Sequence, residues 1–486
     1  MRHVLAIDEG TTGVRALIFD ERGTLVGGSY RELAPSYPKP GWIELDPQGI
    51  WEATQTVCRQ ALQATHLTAA DMAAVGICNQ RATTLVWERV SGRAVYPAIV
   101  WQDTRTAKRV PELMAQGIFT NAMASATKLE WILAHVADCR SRAERSELCF
   151  GTVDSWLVWK LTGGSAHVTD HSNASCTTLY DPLQDIWDAN TLATLKIPPT
   201  MMPAVCSASE VYGYTTPAAF GGKCPVAAVA GDQQAAMFAE MGLERGAVKI
   251  TYGTSGIADV HTGDFPVLSL RGAYPLVLWK RGEQRAFCLE GTAISAGAAV
   301  QWLRDGLGVL QTIEESGALA AQVADSAGVW AVPAFQGLGT PHMDPNARAV
   351  IGGLSRASTR AHVVRAVLEG IAYRSREVLE TLFEDAGIPP PACLRVDGGA
   401  AANDFLLQHL ANIMGFPVER PESVQASALG VAYLAGLATG VWHGTEELRD
   451  AWRSGGIFEP QWSDDERNSR FHSWQNAIAL SRQRIW

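Results

Sequence analysis

Val4-Leu5-Ala6-Ile7-Asp8-Glu9-Gly10-Thr11-Thr12-Gly13 runs from an apolar strand pattern into a small, hydroxylated, glycine-bearing tip, and Ala16-Leu17-Ile18-Phe19 resumes the strand at once. The design recurs near the middle of the chain: Ala247-Val248-Lys249-Ile250, then Thr251-Tyr252-Gly253-Thr254-Ser255-Gly256, then Ile257-Ala258-Asp259-Val260. Each stretch predicts a β-hairpin whose tip lets backbone N–H groups approach an anion, because glycine removes the Cβ clash and admits positive φ. Taken singly, either reads equally well as an ordinary hairpin turn. Two copies facing one cleft would clamp a polyphosphate from both sides.

The surrounding sequence follows the same duplicated order. Asp20-Glu21-Arg22-Gly23 predicts a turn between strands within residues 4–30. Asp46-Pro47 is a helix start, with Asp as N-cap and Pro in the first turn, for a helix from about Gln48 to Thr65. Ala74-Val75-Gly76-Ile77-Cys78 and Thr84-Leu85-Val86-Trp87 are expected to complete a mixed sheet. After the second hairpin come strands near 274–290, a helix near 295–305 and a long periodic segment at 359–386, where Val363, Val364, Val367, Leu368, Ile371, Ala372 and Leu379 recur at helical spacing. Leu394-Arg395-Val396 then ends in Asp397-Gly398-Gly399-Ala400-Ala401-Ala402-Asn403, which is expected to open another helix. Such a junction seats a nucleotide against a helix N-terminus.

With 486 residues the chain exceeds one ordinary core, so two domains are expected, 1–245 and 246–486, divided where the second hairpin begins. A net charge of −10 without a Lys/Arg run argues against a nucleic-acid surface. The nine cysteines show no C-x-x-C spacing and read as buried thiols of a reducing compartment. The N-terminus enters a strand pattern without a basic region and apolar segment, and no apolar stretch reaches membrane-spanning length, so no membrane insertion and a cytoplasmic location are expected. Neither G-x-x-x-x-G-K-[ST] nor a G-x-S-x-G elbow occurs, since Gly222-Lys223 is followed by Cys224. His167 and His171 have the i, i+4 spacing of a metal pair, but Val168-Thr169 between them favours a strand or loop over a helix.

Several motifs, in order and over nearly the whole chain, resemble the FGGY carbohydrate kinases, and within them the glycerol kinase branch. They are Asp8-x-Gly-Thr-Thr, Asn79-Gln80-Arg81, Ile99-Val100-Trp101-Gln102, Phe150-Gly151-Thr152-Val153-Asp154-Ser155-Trp156-Leu157 and Ala230-Gly231-Asp232-Gln233-Gln234. Tyr252-Gly253-Thr254, Gln301-Trp302-Leu303-Arg304-Asp305, Gly337-Leu338-Gly339 and Val396-Asp397-Gly398-Gly399 continue the series. The resemblance implies a duplicated α/β fold of the actin-like ATPase (ribonuclease H-like) type, two domains around a central nucleotide and substrate cleft. It also implies ATP and Mg²⁺ as cofactors and a homo-oligomer, dimer or tetramer.

Phosphoryl transfer needs positioning, charge neutralisation and an acceptor for the alcohol proton. By resemblance Asp232 is that base; it also reads as the N-cap of a helix starting at Gln233. Asp8, with Asp232, would hold Mg²⁺ mostly through waters. Gly10, Thr11, Thr12 and Arg15 would face the phosphates, and Thr254, Gly297, Gln301, Gly399, Ala400 and Asn403 the rest of the nucleotide. The acceptor pocket would comprise Arg81, Ala82, Trp101, Met123, Asp232, Gln233 and Ile257.

The pocket departs from the branch pattern at three positions. Where glycerol kinases carry Glu after the Arg, a Tyr within Pro-Tyr-Phe-Ser-Gly-Thr-Lys and a Phe after the second turn, this chain has Ala82, Met123 and Ile257. Losing a charged hydrogen bond to a hydroxyl costs about 1.5–3 kcal/mol. The leading expectation is therefore a kinase of this branch with altered acceptor choice: a longer polyol, a ketose or a sugar acid paired to Arg81. Glycerol itself remains an alternative. From other classes, a nucleotide-binding pseudokinase and an ATP hydrolase driving a partner are the competing readings.

Overall fold

The computed structural model describes residues 2–483. It divides into two compact units. Unit 1 is 1–241 with 277–285 and 427–451; unit 2 is 242–276, 286–426 and 452–486. Two segments of the second half thus fall in unit 1.

Unit 1 is built on β1 (His3–Gly10), β2 (Gly13–Asp20), β3 (Leu25–Glu32), β4 (Met72–Asn79), β5 (Ser209–Tyr214) and β6 (Pro225–Gly231), in the order β5-β6-β4-β1-β2-β3. β1 pairs antiparallel with β2 but parallel with β4, and β4 pairs parallel with β6. The parallel centre explains the continuous apolar runs. Val4, Leu5, Ala6, Ile7, Val75, Ile77, Val226 and Val229 are fully buried, as strands covered on both faces must be. β3, at the edge, is largely exposed. α1 (Pro47–Ala64) starts as expected, the Asp46 carboxylate accepting from the N–H groups of Gln48 and Gly49.

The stretch 84–87 behaves differently from its expectation. Leu85–Glu88 pairs antiparallel with Leu148–Gly151 in a separate two-stranded ladder rather than joining the main sheet. Trp87 in this ladder packs edge-on against Trp156, so its apolar pattern serves a local aromatic cluster. Nearby, Asp154 is fully buried and accepts from the Thr169 hydroxyl at 2.6 Å. Burial pushes its carboxyl up to about 7, the threonine hydroxyls opposing. A raised native value means the folded state keeps a proton that the unfolded chain releases. Stability is therefore highest below the ordinary carboxylate range and is lost as pH rises toward 7. Asp154→Asn removes that loss: thermal melts at pH 5 and pH 8 should show the variant gaining on the wild type by on the order of 2 kcal/mol at the higher pH.

Unit 2 repeats the local design. β7 (Val248–Tyr252) pairs antiparallel with β8 (Gly256–Gly263) and parallel with β11 (Leu394–Asp397). With β12 (Val418–Pro421) and β13 (Ser454–Phe458), and with β9 (Tyr274–Arg281) and β10 (Gln284–Ala293), whose residues 277–285 count with unit 1, they form a sheet of order β9-β10-β8-β7-β11-β12-β13. The long periodic segment is a 27-residue helix, Arg360–Ala386, burying Val364, Val367, Leu368, Ile371, Ala372 and Leu379.

Candidate active site

Three parallel strands of unit 1 end side by side: Glu9 is level with Asn79, and Asn79 with Gly231. Ligands of α/β sheets gather at such carboxyl ends, and here the segments that follow carry Gly10–Thr12, Gln80–Ala82 and Asp232–Gln233. Asp232 opens α3 (Asp232–Ala239) as its first residue, and Gly231 is the N-cap. The capping role expected for Asp232 thus falls to its neighbour, while its Oδ1 accepts from the Gln233 N–H at 2.8 Å.

Arg81 Nε lies 3.2 Å from Asp232 Oδ1, the side chains being 13% and 30% exposed. Across the β1–β2 ladder Arg15 Nη1 is 3.8 Å from Asp8 Oδ2, and the Cys78 thiol of β4 donates to Asp8 Oδ1 at 3.4 Å. Burial pushes the Asp8 carboxyl above its ordinary value; Arg15 opposes this and the Asp232 charge adds to it. Two acidic groups and two guanidinium groups therefore share the edge. Asp8 and Asp232 offer only carboxylate oxygens, the donors Mg²⁺ takes. Among the described residues no group of three or more His, Cys, Asp or Glu side chains is arranged to hold a metal.

Trp101 lies beside the first turn, its indole N–H donating to Thr11 Oγ1 at 3.0 Å. The N–H is thus engaged. The Lys128 ammonium of α2 (Ser125–His135) donates to the carbonyls of Trp101 at 3.3 Å and Met123 at 2.6 Å, and Ser125 Oγ to the Ala82 carbonyl at 3.0 Å. Ala82, Trp101 and Met123 are brought together in this way. Ala82 is buried and adopts φ 60, left-handed for a non-glycine residue. Burial lowers Lys128 to about 7, Asp103 opposing.

The sequence reading passed over two groups here. Glu9 is fully buried, accepts from Gln80 Nε2 at 3.0 Å, and is pushed well above its ordinary value by burial. Thr169, Asp170, His171, Ser172 and Asn173 form a run of five buried polar residues. The signal in the sequence is five polar side chains in succession. The metal pair is absent: His171 bonds the Cys206 carbonyl and Asp185, both at 2.8 Å, and His167 the Phe150 carbonyl at 2.8 Å.

In unit 2 the turn between β7 and β8 holds Gly253 and Thr254, and Ile257 follows within β8, paired with Thr251. The first residues of the helix Gly297–Asp305 dock on this turn, Gly297 N–H donating to the Gly253 carbonyl at 3.0 Å and Ala298 N–H to that of Thr254 at 3.1 Å. Gln301 is exposed on the same helix. After β11 the chain makes a short 3₁₀ turn, Gly399–Ala402, before the helix Asp404–Met414 begins. The stretch 397–403 thus opens the next helix as expected, by way of this turn. Asn403 is the N-cap, its Oδ1 accepting from Leu406 N–H at 3.1 Å and its Nδ2 donating to Ser316 Oγ at 3.0 Å. Gly399 is exposed and Ala400 half-buried.

Comparison with known proteins accounts for this arrangement. Residues 3–239 match the FGGY family of carbohydrate kinases, N-terminal domain, and residues 248–439 its C-terminal domain. The chain is 47% identical over 493 residues to a glycerol kinase of Bordetella parapertussis, covering 99% of this chain and 97% of that one. It is 45% identical to glycerol kinase 2 of Thermotoga maritima, over 99% of each. Among solved structures, Plasmodium falciparum glycerol kinase with ADP superposes with a TM-score of 0.91 at 28% identity, covering 100% of this chain and 99% of that one. A xylulose kinase from Lactobacillus acidophilus, 21% identical, shares the fold at a TM-score of 0.85, over 99% of this chain and 97% of its own. The fold is the duplicated actin-like, ribonuclease H-like α/β type, and the chain belongs to the FGGY family of carbohydrate kinases, phosphotransferases that act on an alcohol group.

Proposed function

We propose that the protein transfers the γ-phosphoryl group of ATP to a hydroxyl of glycerol. The observation that carries the chemistry is the Arg81–Asp232 pair at the carboxyl edge of the unit 1 sheet, beside Asp8 and the Thr11 turn. Asp232 accepts the proton of the attacking hydroxyl, and Arg81 orients its carboxylate while donating to the acceptor's oxygens. Gln233 adds a polar contact and the Trp101 face borders the carbon chain. Gly10, Thr11, Thr12 and Arg15 face the phosphates. Thr254, Gly297, Gln301, Gly399 and Ala400 bind the remainder of the nucleotide, and Asn403 shapes that end by capping the helix behind it. Asp8 and Asp232 hold Mg²⁺, which when bound neutralises charge on the polyphosphate.

Glycerol is preferred over a longer polyol, ketose or sugar acid because relatives named glycerol kinase align at 45–47% identity over nearly the full length. Ala82, Met123 and Ile257 then mark a pocket with fewer direct contacts, in which water takes the place of a carboxylate and a phenol. An ADP-release assay with glycerol and a panel of polyols, ketoses and sugar acids, with the product identified by mass spectrometry, tests this. The expected result is phosphorylated glycerol with the highest kcat/KM of the panel. A tenfold or greater preference (about 1.4 kcal/mol) for another acceptor would overturn the choice of glycerol. ATP cleavage without any phosphorylated alcohol would remove the kinase reading.

A further inference from the structure

The buried polar run at 169–173 reaches both partners of the Arg81–Asp232 pair. Its centre is the six-residue helix His171–Cys176, whose N-cap Asp170 accepts from Ser172 N–H at 2.8 Å and from Asn173 N–H at 3.0 Å. On one side Ser172 Oγ accepts at 2.8 Å from the N–H of Gly231, the residue immediately before Asp232. On the other, Asn173 and Asn79 form a reciprocal amide pair. Asn173 Nδ2 donates to Asn79 Oδ1 at 3.1 Å, and Asn79 Nδ2 to Asn173 Oδ1 at 3.0 Å. Asn79 Nδ2 also donates to the Gln80 carbonyl at 3.0 Å, fixing the peptide that leads into Arg81. Asp170 Oδ1 holds Asn173 Nδ2 from behind at 2.9 Å. At the helix end the Cys176 sulfur lies 4.0 Å from Arg81 Nη1.

The geometry leaves little slack. Asn79, Asp170, Ser172 and Asn173 are fully buried, so water does not replace any of these bonds. Gly231 is hemmed in as well. A Cβ there would come within 2.7 Å of Arg81 Cδ and 2.5 Å of Gln234 Oε1, although its φ of −61 suits any residue. The Arg81 stem thus lies directly across the peptide that Ser172 anchors. A displacement of either backbone segment is passed to the guanidinium–carboxylate contact.

We infer that Ser172 and the Asn79–Asn173 amide pair, organised by Asp170, are positioning residues that set the distance and angle between Arg81 and Asp232. The inference rests on the proposed roles of those two residues. None of the four is placed against the acceptor or the nucleotide; they act through the pair.

Ser172→Ala tests it, with the acceptor that the wild type phosphorylates best. Assayed well below its melting temperature, it should lose about ten- to hundredfold in kcat, the scale of a misplacement of about 1 Å, with KM for ATP within twofold. Ser172→Thr, which keeps the hydroxyl, should recover most of the loss. Asn79→Ser, which removes the amide pair from the Arg81 side, should show the same split and serves if Ser172→Ala does not fold. A purely structural role would lower the melting temperature and leave kcat per folded molecule unchanged, which would overturn the inference. A crystal structure of the variant gives a readout independent of turnover: Arg81 Nε should move away from Asp232 Oδ1, and retention of the 3.2 Å contact would overturn it. A wild type inert toward every alcohol counts against the kinase reading alone, since the distance is measured regardless.

Discussion

Asp232→Asn should lower kcat by about 10²–10⁴-fold, the usual contribution of a positioned proton acceptor, while affinity for ATP stays within a few-fold. The substitution is nearly isosteric. The amide oxygen still accepts from the Gln233 N–H, as Oδ1 does at 2.8 Å, but the group no longer takes a proton from a hydroxyl. Folding should be little affected, for two reasons. The helix keeps its cap, since Gly231 and not Asp232 holds that position. The ion pair with Arg81 is partly exposed, 30% on the carboxylate side, and a pair so screened is worth about 1 kcal/mol or less. Loss of a carboxylate at the first helical residue adds a few tenths of a kcal/mol through the helix dipole. Steady-state kinetics, nucleotide titration and a thermal melt on one preparation separate these effects. Turnover near the wild-type level in the variant would remove Asp232 from the role of base.

Much of this arrangement is legible in the amino-acid sequence, and the reason is physical. The hairpin β1–β2 and its counterpart β7–β8 are written in local sequence: apolar runs that fill a buried sheet centre, and tips of glycine and threonine. The start of α1 is likewise local, one Asp-Pro step. Departures came where partners lie far away in sequence. Leu85–Glu88 has the pattern of a sheet strand, but its partner Leu148–Gly151 takes it into a separate ladder. Segments 277–285 and 427–451 join unit 1 through packing that no linear pattern announces. At the site, Asp8, Arg81, Trp101 and Asp232 were visible as motif residues. Glu9 and the run 169–173 were not, because their significance is burial: a serine or asparagine reads as surface until the fold encloses it. Ala82 shows the opposite gap. Its substitution for Glu was visible in the sequence, but its left-handed backbone was not.

Gly398→Ala should weaken adenine-nucleotide binding by more than tenfold and lower thermal stability, because the position demands glycine twice over. Gly398 sits at φ 86, ψ 171, a region essentially closed to residues with a Cβ, at a cost of about 1–3 kcal/mol. A Cβ there would also lie 2.6 Å from the Tyr252 carbonyl oxygen, 2.8 Å from its carbon and 2.9 Å from its nitrogen. Those are backbone atoms of β7, held by Gly256 across the antiparallel ladder and, one residue earlier, by the pairing of Thr251 with Asp397. They cannot yield as a flexible side chain would. Relief comes from moving the Gly398–Ala402 turn away from the strand, which displaces Gly399 and Ala400, the residues proposed to face the nucleotide. Gly387→Ala separates strain from clash. Gly387 caps the long helix at φ 60 with nothing within 4 Å of its missing Cβ. That variant should lose only the left-handed penalty, about 1–2 kcal/mol, and bind nucleotide as the wild type does. Calorimetric titration of both variants with ADP decides the matter. If folded Gly398→Ala binds ADP within twofold of the wild type, the turn after β11 does not form the nucleotide site, and the assignments of Gly399 and Ala400 fall with it.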